Sequence, residues 1–138
     1  MTCDTFTKNT CIVDTGAICR INNLAFVMFE AKDINEQVKV GNSTNITATN
    51  IGKWCGVIEQ KDGTKKNIVL NKVKLVPELW NKLFSIGSLL KKQWNLSNNG
   101  PIISLSKNNY KFSSDRLFLT KNGFIMGINI KSSSCAII

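Results

Sequence analysis

Along much of the chain apolar and polar residues alternate with period two, and clusters of turn-forming residues interrupt the alternation. The apolar run Cys11-Ile12-Val13 stops at Asp14-Thr15-Gly16-Ala17, which predicts a short strand ended by a turn. Phe26 to Glu30 reads as a second strand. Gln37-Val38-Lys39-Val40 alternates into Gly41-Asn42-Ser43-Thr44, and alternation resumes through Asn45-Ile46-Thr47-Ala48-Thr49. This is the pattern of a hairpin with its tip at 41–44. Lys53 to Gln60 is strand-like, Lys61-Asp62-Gly63-Thr64 predicts a hairpin turn because Asp-Gly tolerates positive φ, and Lys66 to Val76 alternates until Pro77. The period changes once. From Ser85 to Trp94, residues Ile86, Leu89, Leu90 and Trp94 recur at three- and four-residue spacing with Lys91 and Lys92 turned away, which predicts a helix ended by Asn98-Asn99-Gly100-Pro101. Strand patterns return at Ile102 to Leu105, Leu117 to Leu119 and Phe124 to Ile130, the last two joined by the hairpin signal Asn122-Gly123. Residues 1–9 are polar and read as a flexible N-terminal arm. Many short strands with one late helix define a mainly β chain, a small barrel or folded sandwich.

The chain has 138 residues, 43% hydrophobic and 20% charged, which suits one domain with a real core. Its longest apolar run, Leu24 to Phe29, is far short of the roughly 20 residues that span a bilayer. No charged-then-apolar leader follows Met1. The expectation is a cytoplasmic, intracellular protein with no membrane partner. Eighteen Lys+Arg against nine Asp+Glu give a net charge of +9, and all the basic residues except Arg20 and Arg116 are lysines spread from Lys8 to Lys131. Dispersed lysine reads as a solvated surface rather than a dedicated nucleic-acid reader, which concentrates arginine and aromatics on one face. The charge still implies weak, nonspecific, salt-sensitive attraction to nucleic acid.

The five cysteines, Cys3, Cys11, Cys19, Cys55 and Cys135, are odd in number and form no C-x-x-C pair, and the chain contains no histidine. A zinc site is therefore not expected, nor any other metal or cofactor, and the cysteines read as small, partly buried thiols rather than disulfides. Without histidine the chain cannot build a Ser-His-Asp or Cys-His pair or a histidine-ligated metal hydrolase.

One motif carries chemistry that needs no histidine. Ile12-Val13-Asp14-Thr15-Gly16-Ala17, an apolar pair followed by Asp-Thr-Gly-Ala, has the form of the aspartic-protease active-site signature. About 70 residues later Leu83-Phe84-Ser85-Ile86-Gly87-Ser88-Leu89-Leu90 resembles the second hallmark of retropepsins, an apolar pair and glycine leading into a helix. Leu70, Val73, Leu75, Val76, Pro77 and Leu79, followed by Asn81, Leu83, Ser85, Ile86 and Leu89, are similar to the protease region of Ty1/copia-type retrotransposon polyproteins. The resemblance covers about residues 10–130. Copia-type proteases usually carry serine after the aspartate and a histidine soon after Gly-Ala, whereas this chain has Thr15, the retroviral form, and then Ile18-Cys19-Arg20.

The resemblance implies a retropepsin-like closed β-barrel with one late helix, half of a pepsin-like bilobal fold. It would occupy residues 10–130, between the arm at 1–9 and a C-terminal tail at 131–138. It also implies peptide hydrolysis by two carboxylates that share one proton across an activated water. Only Asp14 lies in such a motif; Asp4, Glu30, Asp33, Glu36, Glu59, Asp62, Glu78 and Asp115 stand in polar or turn contexts. The second carboxylate would come from a symmetry mate, in a C2 homodimer. By the same resemblance Thr15 hydrogen-bonds across the dyad and Gly16 lets the backbone approach the carboxylate. Ala17 and Ile18, the hairpin tip Gly41, Asn42, Ser43 and Thr44, and Ile86 and Gly87 face the substrate, the tip closing over an extended peptide. The implied function is an aspartic endopeptidase that cleaves a retrotransposon Gag-Pol polyprotein and releases itself from it, within the cytoplasm or a virus-like particle. The alternative is a catalytically silent, domesticated dimer that serves as an interaction or nucleic-acid-binding module.

Overall fold

Period-two alternation becomes strand over most of the chain. The computed structural model describes residues 4–14, 20–21, 28–40, 44–78, 82–121 and 123–133. The elements are β1 (Thr10–Asp14), β2 (Arg20–Ile21), β3 (Met28–Val40), β4 (Thr44–Glu59), β5 (Lys65–Leu75), β6 (Lys82–Ser85), α1 (Ile86–Leu90), β7 (Asn95–Asn99), β8 (Ile102–Lys107), β9 (Tyr110–Ser114), β10 (Arg116–Thr120) and β11 (Gly123–Ser132). Eight strands form one sheet in the order β10-β11-β1-β6-β2-β5-β4-β3, and β7, β8 and β9 form a second, three-stranded sheet. β11 also pairs with β4, through Ile130↔Ile58 and Ser132↔Gly56. The ladders β11-β1-β6-β2-β5-β4 therefore return to β11, so these six strands have partners on both sides and leave fewer open edges. The fold is mainly β, as the alternation predicts.

Where the sequence reads several short strands, the structure has long bent ones. Phe26–Glu30 and Gln37–Val40 belong, over the described residues, to the single strand β3, and Asn45–Thr49 and Lys53–Gln60 merge in β4. Two register shifts in the β3/β4 ladder, between Phe29 and Lys32 and between Asp33 and Glu36, each place an extra residue on β3. Such bulges bend a strand without ending it, and they disrupt the alternation that sequence reading relies on. A third bulge lies opposite Gly52–Trp54, where Lys72 on β5 takes φ 55°. The hairpin arms join as predicted, with Val40 paired to Thr44, and the tip at 41–43 lies outside the described residues. The Lys61–Thr64 turn also forms: Gly63 has φ 88° and Gln60 N–H donates to Thr64 O at 2.9 Å.

The predicted helix over Ser85–Trp94 is shorter, spanning Ile86–Leu90 only. After it, Lys92 N–H and Trp94 N–H both donate to Leu89 O, and Gln93 adopts φ 67°, so the chain reverses. Trp94 keeps helical spacing in sequence for a different reason: its ring packs edge-on against Tyr110 and Phe112, at centroid distances of 5.8 and 5.6 Å. β7 and β9 carry no strong alternation and are strands because β8 pairs with both, Leu96 and Phe112 each standing opposite Leu105.

The main core collects Trp54, Ile58, Leu70, Val73, Leu75, Phe84, Ile86, Leu89, Leu105, Phe112, Ile128 and Ile130, all buried. Trp54 satisfies its indole N–H by donating to Ser132 Oγ at 2.8 Å. Cys11 is buried, whereas Cys55 is disulfide-bonded, which corrects the expectation of thiols alone. Its partner lies outside the described residues. Pairing is set by tertiary proximity, which an odd count without C-x-x-C spacing does not reveal.

The segment 4–9, read as an arm, is fastened to the sheet. Asp4 N–H donates to Leu117 O at 2.8 Å, and Leu117 N–H returns a 2.7 Å bond to Asp4 Oδ2, so the segment covers part of the β10 edge. Lys61 pairs with Asp4 at 2.9 Å, and Phe6 stacks on Phe118 with centroids 4.1 Å apart.

Candidate active site

The aspartate of the sequence motif ends β1. This strand runs antiparallel to β11 on one side and parallel to β6 on the other, with Cys11↔Lys82, Ile12↔Leu83, Val13↔Phe84 and Asp14↔Ser85 in register. Thr10 and Cys11 are buried, whereas Ile12, Val13 and Asp14 are half-buried, so β1 is anchored at its start and emerges toward the aspartate. Parallel pairing puts Asp14 about one strand spacing, ~4.8 Å, from Ser85. The two hallmark segments that are about 70 residues apart in sequence are thus neighbours in space.

Ser85 is fully buried and is the N-cap of α1. Its backbone is extended, at φ −88° and ψ 112°, and its Oγ accepts from Ser88 N–H at 3.1 Å, while Ser88 Oγ donates to Ser85 O at 3.0 Å. A serine at the last strand position suits this role because its hydroxyl takes one of the donors that the first helical turn leaves without a partner. The cap therefore sets both the end of β6 and the start of α1 beside the carboxylate. Arg20 pairs with Leu83 from the other flank, so β6 lies between β1 and β2.

Of the residues expected at the site, Asp14, Ile86 and Gly87 come together around the β1/β6 end. Thr15, Gly16, Ala17, Ile18, Gly41, Asn42 and Ser43 lie outside the described residues, and Thr44 is described by its backbone pairing with Val40 alone. Ile86, expected to face substrate, is 1% exposed and packs in the main core. It therefore supports the site from behind rather than lining an open surface, because an apolar side chain at the first helical turn is directed into the core. Gly87 is half-buried.

The β3/β4 hairpin is tied to the same strand system. Val38, Ile46 and Ala48 form a small buried cluster with Val76, against which Ile34 and Leu83 pack. Leu83 is two residues before Ser85, so one apolar cluster links the hairpin arms to β6. An ion pair adds to this link: Lys74 Nζ, on a side chain only 10% exposed, meets Glu36 Oε1 at 2.6 Å. Nothing in the sequence singled out that pair, since Glu36 and Lys74 belong to strands whose register only the fold establishes. Among the described residues no group of three or more His, Cys, Asp or Glu could hold a metal ion, and no helix is long and apolar enough to cross a membrane.

The fold is mainly β and sets the Asp-ended strand β1 against the strand that leads into the Ser-capped helix α1. The chain belongs to the family described as Pol polyprotein, beta-barrel domain, which matches residues 11–94. It is thus a region derived from a retrotransposon or retroviral Pol polyprotein. The match runs from β1 to the turn after α1 and contains both hallmark segments. No curated protein and no solved structure matches the chain.

Proposed function

We propose that the chain is one subunit of a homodimeric aspartic endopeptidase of the Ty1/copia type, which cleaves the polyprotein from which it derives. The observation that carries this reading is the register of Asp14 opposite Ser85, at the meeting of β1, β6 and α1. Asp14 stands where a strand emerges from the core, so its carboxylate can approach a second copy of itself across a two-fold axis. Two such carboxylates cannot both hold full charge at contact distance, and one proton is shared between them. The ionised member takes a proton from water as that water attacks the scissile carbonyl, and the protonated member donates to the carbonyl oxygen. Collapse of the tetrahedral intermediate then expels the amine, which receives a proton from the dyad.

The remaining motif residues keep the roles that the resemblance implies: Thr15 and Gly16 hold the carboxylate and its loop, and the hairpin tip over Gly41–Thr44 closes on an extended peptide. The substrate is Gag-Pol polyprotein, including the chain's own flanking junctions, within the cytoplasm or a virus-like particle.

The test is cleavage of peptides spanning polyprotein junctions at mildly acidic pH, with and without pepstatin, beside Asp14→Asn and sedimentation of the wild type. Cleavage that pepstatin inhibits and Asp14→Asn abolishes, by a dimer, supports the reading. A silent wild type, an equally active Asp14→Asn, or a strict monomer at high micromolar concentration refutes it.

A further inference from the structure

Remote in sequence from the Asp14 motif, strands from both sheets form a second feature. A groove of about 290 Å3 is lined by Asn67, Ile68 and Val69 of β5, by Trp94, and by Lys107, Asn108 and Tyr110 at the β8/β9 turn. Its walls are aromatic and amide-bearing. The Tyr110 hydroxyl donates to Asn67 O, which pins the ring and joins β9 to β5, and Trp94 meets that ring at 5.8 Å, nearly perpendicular. Val69 adds an apolar side chain that is 42% exposed.

The groove is also cationic, with an asymmetry that the total charge hides. Between Glu78 and Asp115 the chain has no Asp or Glu at all, yet it carries Lys82, Lys91, Lys92, Lys107 and Lys111. Lys82 is buried and donates to Lys8 O, but Lys91, Lys92 and Lys111 are exposed. Lys107 Nζ donates to Lys92 O at 2.8 Å, which brings these two residues together beside the groove, and Lys66 Nζ sits 5.4 Å from the centre of the Tyr110 ring. Among the described residues none of Lys66, Lys91, Lys92, Lys107 and Lys111 forms an ion pair; the nearby Lys65 takes Glu59.

We infer that this groove is a docking site for a segment of single-stranded polynucleotide. A nucleotide combines a flat apolar base, a hydrogen-bonding edge and a phosphate, and the groove supplies a partner for each: the Trp94 and Tyr110 rings, the Asn67 and Asn108 side chains, and the ammonium groups of Lys66 and Lys107. Its volume is near the low end for ligand pockets, which suits a base rather than a folded partner. An acidic peptide matches the charge but leaves the aromatic walls and amides unused. The site does not involve Asp14, so it stands apart from the proteolytic reading.

Binding of a fluorescent single-stranded RNA to the full chain, followed by anisotropy at several salt concentrations, tests the inference. Poly-glutamate and an abasic oligonucleotide of equal length serve as comparators. The double variant Lys66→Gln/Lys107→Gln should weaken RNA binding about tenfold and lower the magnitude of the salt slope by about 1.4, some 0.7 for each lost phosphate contact. Lys121→Gln/Lys131→Gln removes the same charge elsewhere and should change affinity less than about twofold, with circular dichroism confirming that both variants fold. The abasic strand should bind about tenfold more weakly than RNA. Equal losses in the two double variants would reduce the binding to net charge. Equal affinity for the abasic strand or poly-glutamate would remove the base-stacking site and overturn the inference.

Discussion

Asp14 and Ser85 are register partners in the parallel β1/β6 ladder, and Ser85 is at once the last residue of β6 and the cap of α1. One residue therefore couples the carboxylate's strand to the helix. Disturbing the cap should loosen the β6 end that flanks Asp14, even though Ser85 is buried away from solvent.

Ser85→Ala leaves Ser88 N–H without its side-chain acceptor, at a cost of about 1 kcal/mol of unfolding free energy. Urea denaturation measures it, and Ser85→Thr, which retains the hydroxyl, should lose less. If the chain is the proposed protease, the turnover of Ser85→Ala should fall further than its stability at assay temperature explains. Unchanged stability would remove Ser85 from the capping role.

Closure of the six-strand circuit depends on Gly56, which stands opposite Ser132 where β4 meets β11. A Cβ at this position would overlap Ile130 Cγ2 and crowd Lys131 O at 3.2 Å. Gly56→Ala should therefore destabilise the fold by about 1–3 kcal/mol, the usual cost of overpacking. Combined with Ile130→Ala it should cost less than the sum of the two single changes, because one clash is shared. Strict additivity in thermal or chemical unfolding would contradict this.

Tyr110 is the chain's single tyrosine, so its ionisation can be read directly from absorbance near 295 nm. Burial pushes its hydroxyl above the ordinary value of 10.0. The neutral form is favoured in the folded state, so this contribution to stability is fully present below pH 10 and is lost as pH rises through the folded value. The folded protein should titrate above 10, returning to the ordinary value in denaturant. A folded titration at or below 10 would mean that the ring is open to water.

Asp4 behaves in the opposite sense. Burial raises its carboxyl, but the Leu117 N–H and the ammonium of Lys61, with a further contribution from Arg116, outweigh burial and hold it below 3.8. Its contribution is present above about pH 4 and is lost as pH falls through the lowered folded value. Asp4→Asn should therefore melt below the wild type at pH 7, and the gap should shrink on acidification toward pH 3. Equal melting temperatures at pH 7 would show that the Asp4 carboxylate adds nothing to the fold.

Much of the architecture is legible in the sequence, since β5 and β8 carry period-two alternation, β1 is an apolar run that stops at Asp14, and the Lys61–Thr64 turn carries its Asp-Gly. The errors are equally physical. Trp94 matched a helical stripe because any buried ring is apolar, whether it lies on a helix or in a turn leading to an aromatic cluster. β3 reads as two pieces because bulges at Phe29–Lys32 and Asp33–Glu36 shift its alternation by one residue without breaking the ladder.

A mainly β chain, one late helix and a single Asp-Thr-Gly are all written in the local sequence, because turn chemistry and hydrophobic period act over a few neighbouring residues. Tertiary packing alone sets Asp14 beside Ser85, brings Lys74 to Glu36, turns Ile86 into the core, and places Lys66 and Lys107 with Trp94 and Tyr110 at one groove. Each of these joins residues far apart along the chain, and such contacts follow from strand register and closure, which depend on packing of the whole molecule at once.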